Sequence, residues 1–282
     1  VSKREAAPAA AAEQGPRNLL MRVIVALVLA PVAIAAAYAG GWLWTALVTL
    51  GAIGLYVEWL MIVGAVPEAP VVGSGVIALA VAGFCLGVDR IDAAGVVLLV
   101  GVAAVGSLAS KRRGWTAAGF VYAAAAEIAS VLVRLDQVWG FAALILILLI
   151  VWVTDIGGYF AGRGIGGPKL WPRVSPKKTW AGAVGGFVAS LIIGGAFAAF
   201  ELGQIGPMLL LGAVLSIVSQ LGDLLESAVK RRFGVKDSSH IIPGHGGLMD
   251  RLDGFVAAVV VAAIFGLLRG GVDGVGRGLM VW

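Results

Sequence analysis

Two short stretches of an otherwise apolar chain carry acidic groups at helical spacing. In QLGDLLESAVKRRFG, Asp223, Glu226 and Lys230 fall at i, i+3 and i+7, on one face of a helix. In GLMDRLDGF, Asp250 and Asp253 are three residues apart, on one face of the first turns of another. Each feature has an ordinary explanation. Glu226 and Lys230 form an i, i+4 pair worth about 0.3–0.5 kcal/mol, and a carboxylate is favourable near any helix amino terminus. Neither explanation covers Asp223, which stands beside an apolar span. Carboxylates converging from two neighbouring helices would supply the oxygen ligands of Mg²⁺, which takes one or two of them and completes its shell with water and phosphate oxygens. Asp223 and Asp250 are the first choices as ligands, followed by Asp253 and Glu226.

Cations and glycines surround these carboxylates. Lys230, Arg231 and Lys236 precede Asp237, Ser238 and Ser239, and PGHGG then presents His245, Gly246 and Gly247 in a tight turn ahead of Arg251. An earlier segment, TDIGGYFAGRGIGGPKLWPRVSPKKTWAG, places Asp155 at the end of an apolar run. A carboxylate at that depth is costly unless it has a partner or a task. In SPKKT, Ser175, Lys177, Lys178 and Thr179 put two cations and two hydroxyls ahead of an apolar helix whose amino terminus favours anions. An electrostatic anchor to lipid headgroups is the simpler reading of that cluster. No GxxxxGK[ST] loop is present, and no HExxH or CxxC accompanies His240 and His245, so neither a Walker site nor a zinc site is indicated. Mg²⁺-type carboxylates, many cations and a glycine-rich backbone together suggest chemistry on phosphates, where positioning and charge neutralisation matter more than a strong base.

The elements that must hold these residues are membrane helices. The chain has 282 residues, of which 60% are hydrophobic and 13% charged, with a mean hydropathy of +0.98. A soluble domain carries about 25% charge. Apolar runs long enough to cross a bilayer recur near 19–39, 42–64, 71–88, 93–109, 116–133, 140–155, 181–200, 205–222 and 254–268, so the expected architecture is all-α and polytopic with about nine spans. Strand-like alternation is absent, which argues against an outer-membrane barrel. Residues 1–17, rich in Ala and Pro, read as a disordered cytoplasmic tail. The small residues after the first run could pass for a leader-peptide cleavage site, but the run is long for that and further spans follow. Residues 18–135 then form an amino-terminal membrane region, and 136–282 a catalytic membrane region with cytoplasmic loops at 156–180 and 223–253.

Alternating the spans from an inside amino terminus gathers the basic clusters on one side. Only Arg90, Arg134, Arg269 and Arg277 are left on the other, in agreement with the positive-inside rule. The net charge of +5 thus belongs to loops, anionic lipid and phosphates, and no nucleic-acid partner is implied. Cys85, the single cysteine, lies in an apolar run and reads as a small core residue.

The segment Ser227–Asp253, SAVKRRFGVKDSSHIIPGHGGLMDRLD, resembles the signature of the phosphatidate cytidylyltransferases. It matches the order Ser-x-apolar-Lys-Arg, Lys-Asp, His-Gly-Gly and Asp-Arg-x-Asp. TDIGGYFAGR and KLWPRVSPKKTWAG are similar to the family's earlier block, with Ala181 where the family has Glu. The resemblance covers roughly residues 154–254. It implies a Mg²⁺-dependent enzyme of the inner membrane, a homodimer, that converts CTP and phosphatidic acid to CDP-diacylglycerol and pyrophosphate, with room for a second, monovalent cation. On that reading Asp223, Asp250, Lys230, Lys236 and His245 serve the reaction, with Asp253 and Glu226 as further metal ligands. Ser175, Lys177, Lys178, Thr179, Arg231, Asp237, Gly246, Gly247 and Arg251 contact substrate. Two alternatives remain: a CTP-dependent lipid kinase or related cytidylyltransferase, and a transporter. A kinase would release CDP rather than pyrophosphate. A transporter needs ionisable groups in mid-membrane, for which Glu58 and Glu127 are the candidates.

Overall fold

The computed structural model describes residues 31–239 and 246–282. Residues 31–39 are helical and lead into α1 (Gly41–Val63), α2 (Ala69–Gly87), α3 (Ile91–Leu108), α4 (Arg113–Leu135) and α5 (Gly140–Gly164). A hairpin of β1 (Lys169–Trp171) and β2 (Ser175–Thr179) follows, then α6 (Trp180–Ala199), α7 (Ile205–Arg232) and α8 (Met249–Gly270). A single 3₁₀ turn at Val272–Gly274 and the short α9 (Val275–Met280) complete the chain. Among the described residues eight helices, α1 to α8, are long and apolar enough to span a membrane, so the protein is an all-α polytopic membrane protein apart from the hairpin. The first expected span, 19–39, lies mostly outside the described residues, which accounts for eight against about nine.

Turns form where the chain supplies the chemistry for them. Gly64 ends α1 in a left-handed conformation at φ 72°, and Gly271 ends α8 at φ 71°. Two buried clusters fill the bundle. In one, Tyr56, Trp59 and Phe120 pack α1 against α4, and each large polar ring has an outlet. Tyr56 Oη donates to Val71 O at 2.9 Å and Trp59 Nε1 to Trp115 O at 2.8 Å. In the other, Leu144, Ile147 and Ile150 of α5 meet Leu211 and Leu215 of α7 and Val259 of α8.

The connections α1–α2, α3–α4, the β-hairpin and α7–α8 all gather at one end of the bundle. Arg112 Nη1 donates to Val63 O at 2.6 Å while its guanidinium covers the Phe233 ring, and Arg232 covers Trp115. The Ser110 amide donates to Glu68 at 2.7 Å, which holds that carboxyl below its usual range. At the opposite end Arg134 donates to Tyr38 O and the Arg277 amide to Asp136. The sparse basic residues Arg90, Arg134, Arg269 and Arg277 therefore stand at that end, as charge asymmetry suggests.

The two long loops expected at 156–180 and 223–253 are shorter than the sequence implies. α5 continues past Asp155 to Gly164, which the sequence did not suggest, whereas α7 running to Arg232 and α8 starting at Met249 put residues 223–230 and 250–253 on helices, as their spacing implies. Helix persists through the glycines after Asp155 because they pack against glycines of α6. A Cβ on Gly182 would stand 2.8 Å from Gly158 O, one on Gly157 3.1 Å from Gly185 O, and one on Gly186 2.5 Å from Thr154 O. Backbones can approach this closely only with small residues at the seam, and the packing offsets glycine's poor helix propensity. Replacing Gly186 by Leu should lower stability by about 1–3 kcal/mol through overpacking. Gly195→Leu on the same helix, where nothing lies within 4 Å, should leave the unfolding midpoint in detergent nearly unchanged.

Candidate active site

The glycine seam sets the hairpin over the end of α5 and opens a cavity of about 610 Å³ between α5, the hairpin, α6 and α7. Its volume lies within the range of small-molecule sites. Asp155, Tyr159 and Arg163 line it from α5, Lys177, Lys178 and Thr179 from β2, and Gln220 and Asp223 from α7. Lys178 forms an ion pair with Asp223, while Lys177 is exposed to the cavity. Arg163 Nη1 donates to Tyr159 Oη at 2.9 Å, which fixes a guanidinium among the lining residues. Antiparallel pairing of Lys169 with Thr179 and of Trp171 with Ser175 holds β2 in place.

Behind this cavity the carboxylates run across α5, α7 and α8. Asp155 and Asp223 are electrostatic neighbours, and Asp253 feels Asp223, Asp155 and Lys178. Glu226 is next, facing both Asp253 and Asp250. Lys230 closes the line, with Nζ at 2.6 Å from Glu226 Oε2 and 2.5 Å from Asp250 Oδ1. Five carboxylates thus share two paired lysines. Two polar atoms in the middle of the line, Glu226 Oε1 and Tyr122 Oη, are buried without a hydrogen-bond partner among the described residues, and Tyr122 from α4 lies within reach of Asp253 and Glu226. Buried polar atoms of this kind call for a ligand, a cation or ordered water.

Several sequence-based assignments change in three dimensions. Asp250 and Asp253 share a helix but face different partners. Asp250 Oδ2 accepts from Gly247 N at 2.9 Å and from Ser238 N at 3.1 Å, as a capping carboxylate does, whereas Asp253 turns toward Asp223 and accepts from its neighbour Gly254 N at 2.7 Å. The Gly247 amide, expected to reach a phosphate, is therefore committed to Asp250. Gly246 adopts φ +83° beside the same carboxylate. Lys230 is almost wholly buried, its charge spent on Glu226 and Asp250. Thr179 is the cap of α6: its Oγ1 accepts from Gly182 N at 3.1 Å, so the helix amino terminus expected to attract anions is already capped there. Ser175 pairs with Trp171 in the hairpin and is not among the cavity's lining residues. Arg231, whose Nη1 donates to Val235 O at 3.1 Å, Lys236, Asp237 and Arg251 are exposed on the same end of the bundle. His245 lies outside the described residues.

Sequence reasoning missed Tyr122, Tyr159, Arg163 and Gln220 as site residues. Arg163 had been counted only among the charges that orient the chain, although it stands in the same glycine-rich segment as Asp155. Tyr122 has no local signal, because it sits in the span of α4, far in sequence from the carboxylates it approaches.

Residues 20–268 match the cytidylyltransferase family along most of the chain. The chain belongs to that family. Among curated relatives, the phosphatidate cytidylyltransferase of Brucella suis is 40% identical over 261 residues, covering 89% of this chain and 94% of its own length. That of Staphylococcus haemolyticus is 52% identical over 111 residues, 38% of this chain, and that of Staphylococcus aureus strain COL is 51% identical over 110. The cytidylyltransferase match includes every element that lines the cavity and every carboxylate of the line.

Removing the buried cation at the end of the line tests its structural weight. Lys230→Met leaves Glu226 and Asp250 without their shared counter-charge and should cost about 3–5 kcal/mol of stability. Adding Glu226→Gln should restore much of that loss in thermal unfolding, since one fewer buried charge then lacks a partner.

Proposed function

We propose that the cavity beside the hairpin receives the CTP triphosphate while phosphatidic acid reaches it from the bilayer, and that the chain catalyses phosphatidate cytidylyl transfer. A phosphatidate oxygen bonds to the α-phosphorus of CTP, the bond from that phosphorus to the β-phosphate oxygen breaks, and pyrophosphate leaves with CDP-diacylglycerol remaining in the membrane. The observation that carries this reading is the pairing of exposed and ion-paired lysines, Lys177 and Lys178, with Asp155 and Asp223 in one cavity at the end of a membrane bundle. The nucleophile is already an anion, so the site needs orientation and charge neutralisation more than a base.

Each side chain has a task suited to its position. Lys177 from β2 and Arg163 from α5 offer positive charge toward the triphosphate. Lys178 holds Asp223 in place and adds a second cation. Tyr159 and Gln220 furnish hydrogen-bonding groups along the walls. Lys236, Arg231 and Arg251, exposed at the same end, suit the lipid phosphate or the headgroup layer.

Mg²⁺ fits the residues. Among the described residues no three His, Cys, Asp or Glu side chains are grouped so as to hold a metal ion, but Mg²⁺ needs only one or two carboxylates and commonly takes the rest of its shell from substrate phosphates and water. Asp223 and Asp253, with Glu226 and Asp250 behind them, would hold it, and the buried, unpartnered Glu226 Oε1 and Tyr122 Oη support a hydrated cation there. Bound at this place it would neutralise charge on the triphosphate. The same excess of carboxylates leaves room for a monovalent cation. The concentration of Lys and Arg at the site end supports a cytoplasmic site in the inner membrane with the amino terminus on that side. A homodimer, which the resemblance carried by Ser227–Asp253 implies, is part of the same proposal.

Asp223→Asn is the cleanest probe, because among the described residues the ion pair and hydrogen bond of Asp223 are with partly exposed groups, Lys178 and Ser227. With CTP, phosphatidic acid and Mg²⁺, turnover should fall by about a hundredfold or more, several kcal/mol of lost charge stabilisation, while the unfolding midpoint changes little. The wild-type chain should release pyrophosphate and require added Mg²⁺. Release of CDP would identify a kinase instead, and full activity in excess EDTA would remove the metal from the mechanism.

A further inference from the structure

Glu58 lies in α1, in the amino-terminal half of the chain, yet it is bonded entirely to the carboxyl-terminal half. It is fully buried. Its Oε1 accepts from Ser239 Oγ at 2.7 Å and Leu248 N at 2.8 Å, and its Oε2 from Met249 N at 2.7 Å. Ser238 Oγ lies 2.9 Å from Oε2 and 3.1 Å from Asp250 Oδ2, with one proton to share between the two carboxylates. A charged group inside a membrane protein is expensive unless it is fully hydrogen-bonded, and Glu58 has at least three donors at short distance.

The donors come from both sides of the segment 240–245. Glu58 holds Ser238 and Ser239 before it, and Leu248 and Met249, the start of α8, after it. Asp250 is the next residue, and it receives the Ser238 and Gly247 amides from the same strip of backbone. A Cβ on Gly247 would overlap Ser238 Oγ and stand 2.5 Å from Glu58 Oε2, so the backbone is pressed directly onto the Glu58 carboxylate. From Glu58 an unbroken path of contacts runs through Ser238 to Asp250, then to Lys230 and Glu226.

We propose that Glu58 is a positioning residue for cytidylyl transfer, setting the placement of Asp250 and of the start of α8 from a helix that contributes nothing to the cavity. The inference rests on the proposed reaction for its kinetic consequence alone. The geometry explains why a carboxylate is needed. Each of its oxygens accepts one backbone amide, which cannot reverse its polarity as a hydroxyl can. In glutamine one of those positions becomes an NH₂ group facing an N–H donor, so one α8 amide must lose its partner although the side chain keeps its size. Glu127 is an internal contrast. It is also fully buried, but it accepts from Thr49 Oγ1 at 2.7 Å, and among the described residues no hydrogen bond or ion pair joins it to the carboxylate line.

The test compares Glu58→Gln, Glu58→Asp and Glu127→Gln, each purified in detergent, for pyrophosphate release and for amide hydrogen exchange across residues 239–250. Glu58→Gln should lower kcat about tenfold or more, with KM for CTP changed less than about threefold, because an unmade buried hydrogen bond displaces Asp250 without altering the walls of the cavity. Exchange at Leu248 and Met249 should accelerate. Glu58→Asp, which keeps two acceptor oxygens, should regain part of kcat, and Glu127→Gln should stay within about twofold of wild type. Ser239→Ala, which removes one hydroxyl donor and keeps both amides, provides a milder variant if Glu58→Gln does not fold; it should lower kcat and accelerate exchange in the same direction. The proposal is overturned if Glu58→Gln, or in its place Ser239→Ala, retains wild-type kcat and exchange, or if Glu58→Gln and Glu127→Gln lose activity equally. A wild-type chain that makes no pyrophosphate from CTP and phosphatidic acid would overturn the reaction instead, and exchange would then decide whether Glu58 holds the segment.

Discussion

Carboxylates placed at the rim of a bilayer need counter-charge, and the arrangement of this protein follows from how that need is met. Asp155, Asp223, Asp253, Glu226 and Asp250 run in a line across three helices, with Lys178 paired at one end and Lys230 at the other. Two lysines do not balance five acids. The uncompensated middle, with Glu226 Oε1 and Tyr122 Oη lacking partners among the described residues, is where a cation and a charged substrate would lower the energy of the site. A cation bound there would relieve the same electrostatic imbalance that costs stability in its absence.

Everything around the line serves its placement. The α5–α6 glycine seam brings the hairpin close enough for Lys178 to reach Asp223, which side chains larger than hydrogen at the crossing would prevent. Arg112 and Arg232, lying over Phe233 and Trp115, tie the end of α7 to the α3–α4 turn. Glu58 reaches from α1 to the first turn of α8. The amino-terminal helices carry none of the residues that line the cavity, yet Glu58 fixes the backbone on which Asp250 and Asp253, two of the five carboxylates, are mounted.

Much of this was legible in the sequence because lipid and charge leave strong marks. Spans were found from apolar length, Asp155 from the cost of a carboxylate at membrane depth, Asp223 and Asp250 from helical spacing, and Lys178 from its place ahead of a helix amino terminus. Helix ends were misjudged where glycine mimics a loop: residues 156–164 look like a turn until the glycines of α6 are set against them. Lys230 and Gly247 were recognised as site residues but given contacts with phosphate, since local spacing cannot reveal that Asp250 already occupies both. Thr179, read as a hydroxyl for substrate, is the cap of α6. Glu58 was noticed only as an isolated acid in a span. Its partners lie about 180 residues away, and no periodicity encodes a bond of that range.

In the proposed reaction the carboxylates of α7 and α8 and the cations of the hairpin would act on a single metal-bound triphosphate. A structure determined with Mn²⁺ and a non-hydrolysable CTP analogue, using the anomalous signal of the metal, tests it directly. The expected result is a metal peak beside Asp223 and Asp253, with the triphosphate against Lys177 in the 610 Å³ cavity. A triphosphate seated outside that cavity, or a metal bound away from both aspartates, would contradict it.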